Sequence, residues 1–409
     1  MGCSMTLYVW GSHPSIHILF DKFQEYDRPF VAPQEPTQLS PLGRQLFRYA
    51  VQHLPEYNGL SRVKQMDIYA AASSIAHLHM DDASVVFGED LPYLINQMMN
   101  PTFSNTSELI AFALKSMQDD ARNDDGSVNI RKLGWLIDNE IGGLAKASIS
   151  GDHSDERNLI LLELQRIIFS LCQEDIIPRP DDTEQKSQRV WQRILDVLFY
   201  NTRISVIIGE TGSEIDSVGR IENSVQIVTP NDRQSTPGKI DCKLVVSLVK
   251  AKKWSFKTIS NFGMVSPMES SQQAEKLVRE NMRLNHSIFK STLPDQPFYF
   301  LEIHGYSAQL YRFMRHDSVY TCGKTLEEEL ILPTCMSELE WFMDGKCLST
   351  LLELRSHFIE IAQKLQSEHT RPLKTTVNSS SPLLRPVVSR PREDQTSPLL
   401  PVRKKSRSL

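Results

Sequence analysis

The sequence predicts a mixed protein of helices and strands, in the α+β or α/β class. Three observations predict it. Residues 40–176 carry apolar residues at helical spacing almost throughout, which favours an all-helical N-terminal unit. Residues 188–323 then read as one amphipathic helix, three strand-like runs, a long helix and a further strand, the order αβββαβ. From residue 370 onward Pro, Ser and Arg dominate and aromatics are few, which predicts a disordered tail.

The first unit is expected to follow an irregular arm. Residues 1–39 hold several prolines and little periodicity. Ser40 and Pro41 favour a helix start, because Ser can cap free N–H groups and Pro fits the first turn. The spacing beyond predicts further helices up to residue 176, among them one continuous helix over Ser61–His79. Pro178 and Pro180 then forbid helix continuation and mark a boundary.

The second unit, residues 184–369, is expected to hold a mixed sheet closed by helices. We predict a helix over residues 188–200, then strands over 203–209, 239–249 and 254–265. A helix over 268–293, a strand over 298–303, two short antiparallel strands and a helix over 347–368 follow. The insert 211–238 fits a loop, with residues 225–228 as an additional strand candidate.

This pattern resembles a group of fungal proteins with a degenerate PD-(D/E)XK nuclease-like core. The resemblance covers about 140 to 180 residues and implies a restriction-endonuclease-like sheet, with helices packed on it. The residues that carry the resemblance are Gly238-Lys-Ile-Asp241, Ile259-Ser-Asn-Phe262, Gln272-Gln273, Lys276, Arg279, Arg283-Leu-Asn285, Ile303-His-Gly305 and Leu332-Pro333.

In active nucleases of this superfamily, an Asp on one strand and an acid on the next hold a divalent cation, and a Lys follows two residues later. Mg²⁺ requires such hard oxygen ligands in a cluster. Asp241 matches the first acid. For the second strand, one register gives Ser255-Phe256-Lys257, which keeps the lysine, and the favoured register gives Gly263-Met264-Val265, which keeps neither residue.

A two-acid metal site would therefore need Glu210, Glu214 or another residue. We expect a non-catalytic binding scaffold with no cofactor and no metal. The alternative is a Mg²⁺-dependent nuclease that uses Asp241 and Lys257.

Charge suggests a contact surface for nucleic acid, although a protein partner stays open. Residues 239–290 hold ten Lys or Arg against four acids, a local charge of +6, whereas the whole chain has −5. On the long helix, a stripe of Lys276, Arg279, Arg283 and Lys290 shares one face and could follow phosphates. A second cluster is Lys250, Lys252 and Lys253. Beside it, Trp254 and Phe256 either stack on bases or belong to the core.

The two ends carry short targeting patterns. Met1-Gly-Cys-Ser-Met-Thr6 matches a myristoylation pattern on Gly2, with Cys3 as a palmitoylation candidate, so one expectation is a membrane-associated adaptor. No transmembrane segment is expected, because the apolar runs are too short. The basic run Arg403, Lys404, Lys405 and Arg407 could instead bind an import receptor, which favours a nuclear or cytoplasmic protein. Two Ser-Pro sites, at Ser381 and Ser397, could be phosphorylated near the tail arginines.

Overall fold

The structure is a computed structural model. It describes residues 35, 39–99, 117, 119–126, 128–149, 156–173, 184–211, 240–250, 253–265, 271–292, 296–316, 319–326, 328–335, 338 and 346–370. All elements named below belong to one compact unit, which ends at Thr370, and residues 371–409 lie outside the described residues. The described part is a mixed α/β fold, with helices around a single mixed sheet.

The N-terminal region contributes helices and one strand. Helix α1 spans Pro41–His53 and leads through a 3₁₀ turn, Leu54–Gly59, into α2, Arg62–Ala72. Strand β1, Ile75–His77, follows. Helices α3, Ala83–Phe87, and α4, Asp90–Met98, complete this part.

The strand β1 shows that residues 40–176 are not all-helical, and that the helix expected over Ser61–His79 is too long. Ser74 has a φ of +62°, a left-handed conformation that no α-helix can continue through. The three residues after it are fully buried in the sheet. Tertiary pairing thus overrides the local helical pattern here.

Three longer helices lead into the second part of the chain. They are α5, Ile130–Ile149, α6, Glu156–Gln173, and α7, Glu184–Leu198. The indole of Trp191 on α7 is fully buried and donates a hydrogen bond of 3.0 Å to the carbonyl of Gly305. This bond ties α7 to the turn between two central strands.

The sheet contains eight strands in the described part of the chain. After β1 come β2, Ile204–Thr211, β3, Ile240–Lys250, and β4, Lys253–Val265. Helix α8, Ser271–Ser291, leads to β5, Phe298–His304. Strands β6, Ser307–His316, β7, Val319–Lys324, and β8, Leu330–Ile331, precede helix α9, Lys346–Thr370.

The strand order is β1-β7-β6-β5-β4-β3-β2, with β8 paired to β6. Strands β2, β3 and β4 form an antiparallel meander, and β4 pairs parallel with β5 through the crossover helix α8. Strand β1 closes the other end by pairing parallel with β7. The predicted succession of one helix, three strands, one helix and one strand is thus present as α7, β2, β3, β4, α8 and β5.

Helices α8 and α9 cover opposite faces of the sheet around β4. The ring of Phe262 on β4 contacts Phe358 on α9, with centroids 6.1 Å apart. Asn261, its neighbour on β4, bonds to α8 instead. Within the described ranges, none of the helices combines the length and apolarity that crossing a lipid bilayer requires.

Candidate nucleic-acid interface

The hairpin of β3 and β4 extends beyond its neighbours in the sheet. Strand β2 pairs with β3 from Ile204, opposite Val246, and one further hydrogen bond of 3.1 Å joins the Ser247 N–H to the carbonyl of Arg203. Strand β5 pairs with β4 only over Gly263–Val265. Residues 247–250 of β3 and 253–256 of β4 therefore form a two-stranded projection, here called the β3–β4 ribbon. An isolated ribbon of this kind is only marginally stable by itself, so its position depends on what anchors it.

Helix α9 anchors the ribbon through a side-chain amide. The Gln366 side chain accepts from the N–H of Val249 at 3.1 Å and donates to the carbonyl of Val249 at 3.0 Å. It thus takes the place that a neighbouring strand would occupy. Near the same end of α9, His369 Nε2 lies 3.5 Å from the hydroxyl of Ser255. The ribbon is thus held at its β3 edge by Gln366 and on one face by His369.

The other face of the ribbon carries two exposed aromatic rings. Trp254 is 67% exposed and Phe256 is 66% exposed. Successive side chains alternate between the faces of a strand, and Ser255 faces α9, so both rings point away from that helix. Their exposure excludes one of the two options left by the sequence: these aromatics are not part of the core.

Lysines flank these rings in the sequence, and acidic residues are absent from the same stretch. Residues 242–268 hold five lysines and no Asp or Glu. Lys250 and Lys253 face each other as the last pair of the ribbon, and Lys252, between them, lies outside the described residues. Lys257 is half-buried on the α9 side, where burial lowers its pKa and the nearby Glu368 carboxylate partly offsets this.

The stripe predicted on the long helix is not an exposed cationic surface. Arg279 is 3% exposed, and its guanidinium binds both carboxylate oxygens of Asp67 on α2, at 2.8 and 3.1 Å. The guanidinium of Arg283 stacks over the ring of Tyr69, at 3.8 Å from the centroid. Helix α2 therefore covers this face, a tertiary contact that helical spacing alone could not reveal.

The two remaining stripe residues keep some exposure. Lys276 is paired with Glu280 at 3.8 Å, a geometry that contributes little at a surface. Lys290 is exposed at the end of α8, with its ammonium 5.5 Å from the ring centroid of Tyr320. These two lysines alone do not form a continuous track for phosphates.

Asp67 belongs to a buried ionic group. Besides the two bonds from Arg279, Nδ1 of His77 on β1 lies 3.1 Å from the Asp67 carboxylate. Burial alone would raise the pKa of Asp67, but the hydrogen bonds from His77 and Arg279 outweigh burial and hold that pKa below its ordinary value. This group ties α2 and β1 to α8.

A second buried polar group links β4, β5 and α8. The Asn285 side chain pairs with both the N–H and the carbonyl of Asn261, at 2.8 and 2.7 Å. The Asn281 side chain accepts from the Asn261 amide and donates to the Glu302 carboxylate. A Cβ added to Gly263 would lie only 2.2 Å from a Glu302 oxygen, so glycine makes room for that carboxylate.

At the position favoured for the second acid, the structure places a glycine and no carboxylate. In the favoured register, Met264 and Val265 are buried apolar residues beside Gly263. Lys257 lies six residues before Gly263, about 20 Å along the strand. Asp241 lies at the Gly263 end of the hairpin, because the residue after it, Cys242, pairs with Phe262. The structure therefore does not bring Asp241 and Lys257 together. Among the residues whose side chains are described, no group of three His, Cys, Asp or Glu is placed to hold a metal ion.

Several residues singled out by the sequence lie outside the described part. These are Gly2 and Cys3, Glu214, the two Ser-Pro sites, and the basic run of Arg403, Lys404, Lys405 and Arg407. The side chains of Glu210, Asp241, Lys250 and Lys253 are likewise not described, although their backbones belong to strands.

Some residues that build this region were missed by the sequence reasoning. Gln366 and Asp67 gave no local signal, because their partners lie 117 and 212 residues away along the chain. Asn281 did give one, together with Asn285, which the resemblance already includes: two asparagines four residues apart on an otherwise amphipathic helix are unusual, since Asn is a poor helix former. Comparisons with family models, with curated proteins and with solved structures gave no match to this chain. Its function is therefore inferred from geometry and charge.

Proposed function

We propose that this protein is a non-catalytic binding scaffold on a restriction-endonuclease-like core, and that it contacts nucleic acid through the β3–β4 ribbon. The observation that carries the proposal is the exposed pair Trp254 and Phe256, set among lysines in a stretch without acidic residues. Phosphates attract such lysines, because each contact releases condensed counterions. Exposed aromatic rings beside cations offer stacking platforms for bases.

The scaffold part of the proposal is supported by the core itself. The strand order β2-β3-β4-β5, with α8 as the crossover helix, agrees with the αβββαβ arrangement. The position favoured for the second acid is Gly263, and the neighbouring Glu302 carboxylate is bound to the Asn281 amide. A carboxylate held in a buried amide network serves packing and position, whereas a catalytic cation needs several oxygen ligands that face a substrate.

The test is a titration of the purified full chain with single- and double-stranded oligonucleotides over a salt series. Replacing Lys250, Lys252 and Lys253 with Gln should lower the slope of log K against log salt by about 2 to 3, at about 0.7 to 0.9 per lost phosphate contact. A matched control replaces three exposed basic residues far from the ribbon in sequence, Arg131 and Lys132 on α5 and Arg189 on α7. It should leave the slope near that of the wild type.

Three outcomes would contradict the proposal. Equal slopes for both triple variants would remove the ribbon as the contact surface. Absence of binding to every oligonucleotide would favour a protein partner. A parallel series with Mg²⁺ tests the enzyme alternative: cleavage that is lost in Asp241→Ala would show a nuclease and overturn the non-catalytic assignment.

A further inference from the structure

The ribbon differs from a simple cationic patch because its two exposed rings stand on one face of one strand. Trp254 and Phe256 are two residues apart, which places them about 6.8 Å apart along the strand. Neighbouring bases in a nucleic-acid strand are about 3.4 Å apart. The rings are thus spaced at about twice the base step, which leaves room for a base to stack on each ring.

Stacking on these rings requires base faces that are free. In a duplex, both faces of every internal base are covered by the neighbouring pairs, so a protein reaches the edges and the backbone only. In a single strand the bases can separate and stack on aromatic side chains. The face that holds Trp254 and Phe256 lies opposite the one held by α9, so it is open to such bases.

The strand edge beside the rings has no strand partner among the described residues. Over residues 253–258, β4 pairs with β3 on one side, and in the described part of the chain no strand pairs with the other side. Outward N–H and C=O groups recur at every second residue of such an edge, where they can bind polar base edges. The same edge is closed farther along by Asn285, which occupies both backbone groups of Asn261.

From these features we infer that the β3–β4 ribbon binds single-stranded nucleic acid, with Trp254 and Phe256 each stacking on one base. This inference rests on the proposed function and names its ligand class. DNA and RNA single strands share the required chemistry, namely exposed base faces and a phosphate backbone. The ribbon is also pre-positioned, because Gln366 and His369 hold its other side.

The experiment compares oligo(dT), oligo(U) and a blunt duplex of equal length, each titrated against the full chain. At least one of the two single strands, oligo(dT) or oligo(U), should bind more tightly than the duplex. Trp254→Ala and Phe256→Ala should each weaken single-strand binding by about 5- to 150-fold, the range expected for the loss of one stacked base. Trp254→Phe keeps an aromatic face and should retain most of the affinity.

Matched controls are Trp135→Ala and Tyr200→Ala, which remove aromatic rings that are 63% and 67% exposed on other elements. These variants should change affinity by less than about 2-fold, since loss of an uninvolved surface ring leaves the contacts intact. All four sites are exposed, and an unfolding curve for each variant verifies that the fold is kept.

The outcomes separate this inference from the proposed function. If the aromatic variants bind like wild type while the lysine variants lose affinity, stacking is wrong and the nucleic-acid contact stands. Tighter binding of the duplex than of either single strand also overturns the inference. If no oligonucleotide binds, the proposed function fails as well. If Trp254→Ala instead abolishes self-association in sedimentation, the rings are a protein interface.

Discussion

Gly263 offers a quantitative test of the buried network around Glu302. In Gly263→Ala, the new Cβ would lie 2.2 Å from a Glu302 carboxylate oxygen, whereas ordinary contacts begin at 3.4 Å. The carboxylate must therefore move by about 1.2 Å, the difference between these two distances. Such a shift strains its hydrogen bond from Asn281, which is also buried.

The expected cost combines two effects. Overpacking of a filled core costs about 1–3 kcal/mol, and disturbing a buried hydrogen bond to a charged group costs about 1.5–3 kcal/mol. Against them stands a gain of about 0.4–1 kcal/mol, because alanine restricts the unfolded chain. We expect a net loss of about 1.5–5.5 kcal/mol in the free energy of unfolding, measured by urea denaturation at pH 7.

A double-mutant cycle identifies the cause of this loss. In a Glu302→Ala background the carboxylate is gone and only the Asn281 amide nitrogen, 2.9 Å from the new Cβ, must still shift, so most of the cost of Gly263→Ala should disappear. In a Glu302→Gln background the volume is unchanged, so the full cost should persist. An equal cost of Gly263→Ala in all three backgrounds, or no cost in the wild type, would refute the assignment of Glu302 to this space.

Two further predictions concern the groups that position the ribbon and the helices. Asp67→Asn leaves the buried guanidinium of Arg279 with only the exposed carboxylate of Glu275, 3.6 Å away, as a counterion, and should cost about 3–5 kcal/mol in thermal or urea unfolding. Glu280→Gln, at the surface, should cost less than about 1 kcal/mol. The pKa of Asp67 is lowered in the folded state, so ionised Asp67 stabilises the fold at pH values above its unfolded-state pKa of about 3.9. This stabilisation is lost as the pH falls below that value. The acid-unfolding transition of the wild type should therefore be steeper than that of Asp67→Asn. Gln366→Ala removes both bonds to Val249, so hydrogen exchange at the Val249 amide should accelerate by at least about 5-fold, and unchanged exchange would show that α9 does not anchor the ribbon.

The sequence predicted the regular elements of the second unit closely. The strand expected over residues 254–265 spans Lys253–Val265, and the helix expected over 347–368 spans Lys346–Thr370. Hydrophobic periodicity is strong over such lengths, because one face of each element is buried. Strand β1 was not predictable in this way, since three residues show no period and its pairing with β7 joins positions about 245 residues apart.

Only part of the candidate site could be predicted from the sequence, because the rest depends on tertiary contacts. The lysines and aromatics at residues 250–257 were visible in the sequence, but exposure of Trp254 and Phe256 depends on where β2 and β5 begin to pair. Arg279 appeared as a surface cation because helical spacing does not show what covers a face. Its partner Asp67 lies on another helix, 212 residues earlier.

The central claim is that nucleic acid binds at the face of the β3–β4 ribbon that carries Trp254 and Phe256. The most direct measurement is ultraviolet crosslinking of the full chain to oligo(dT) and oligo(U), followed by mapping of the modified peptide by mass spectrometry. The account predicts adducts on Trp254 or Phe256, which disappear in the doubly substituted alanine variant. Adducts confined to other residues, such as Trp135 on α5 or the exposed end of α8, would contradict it.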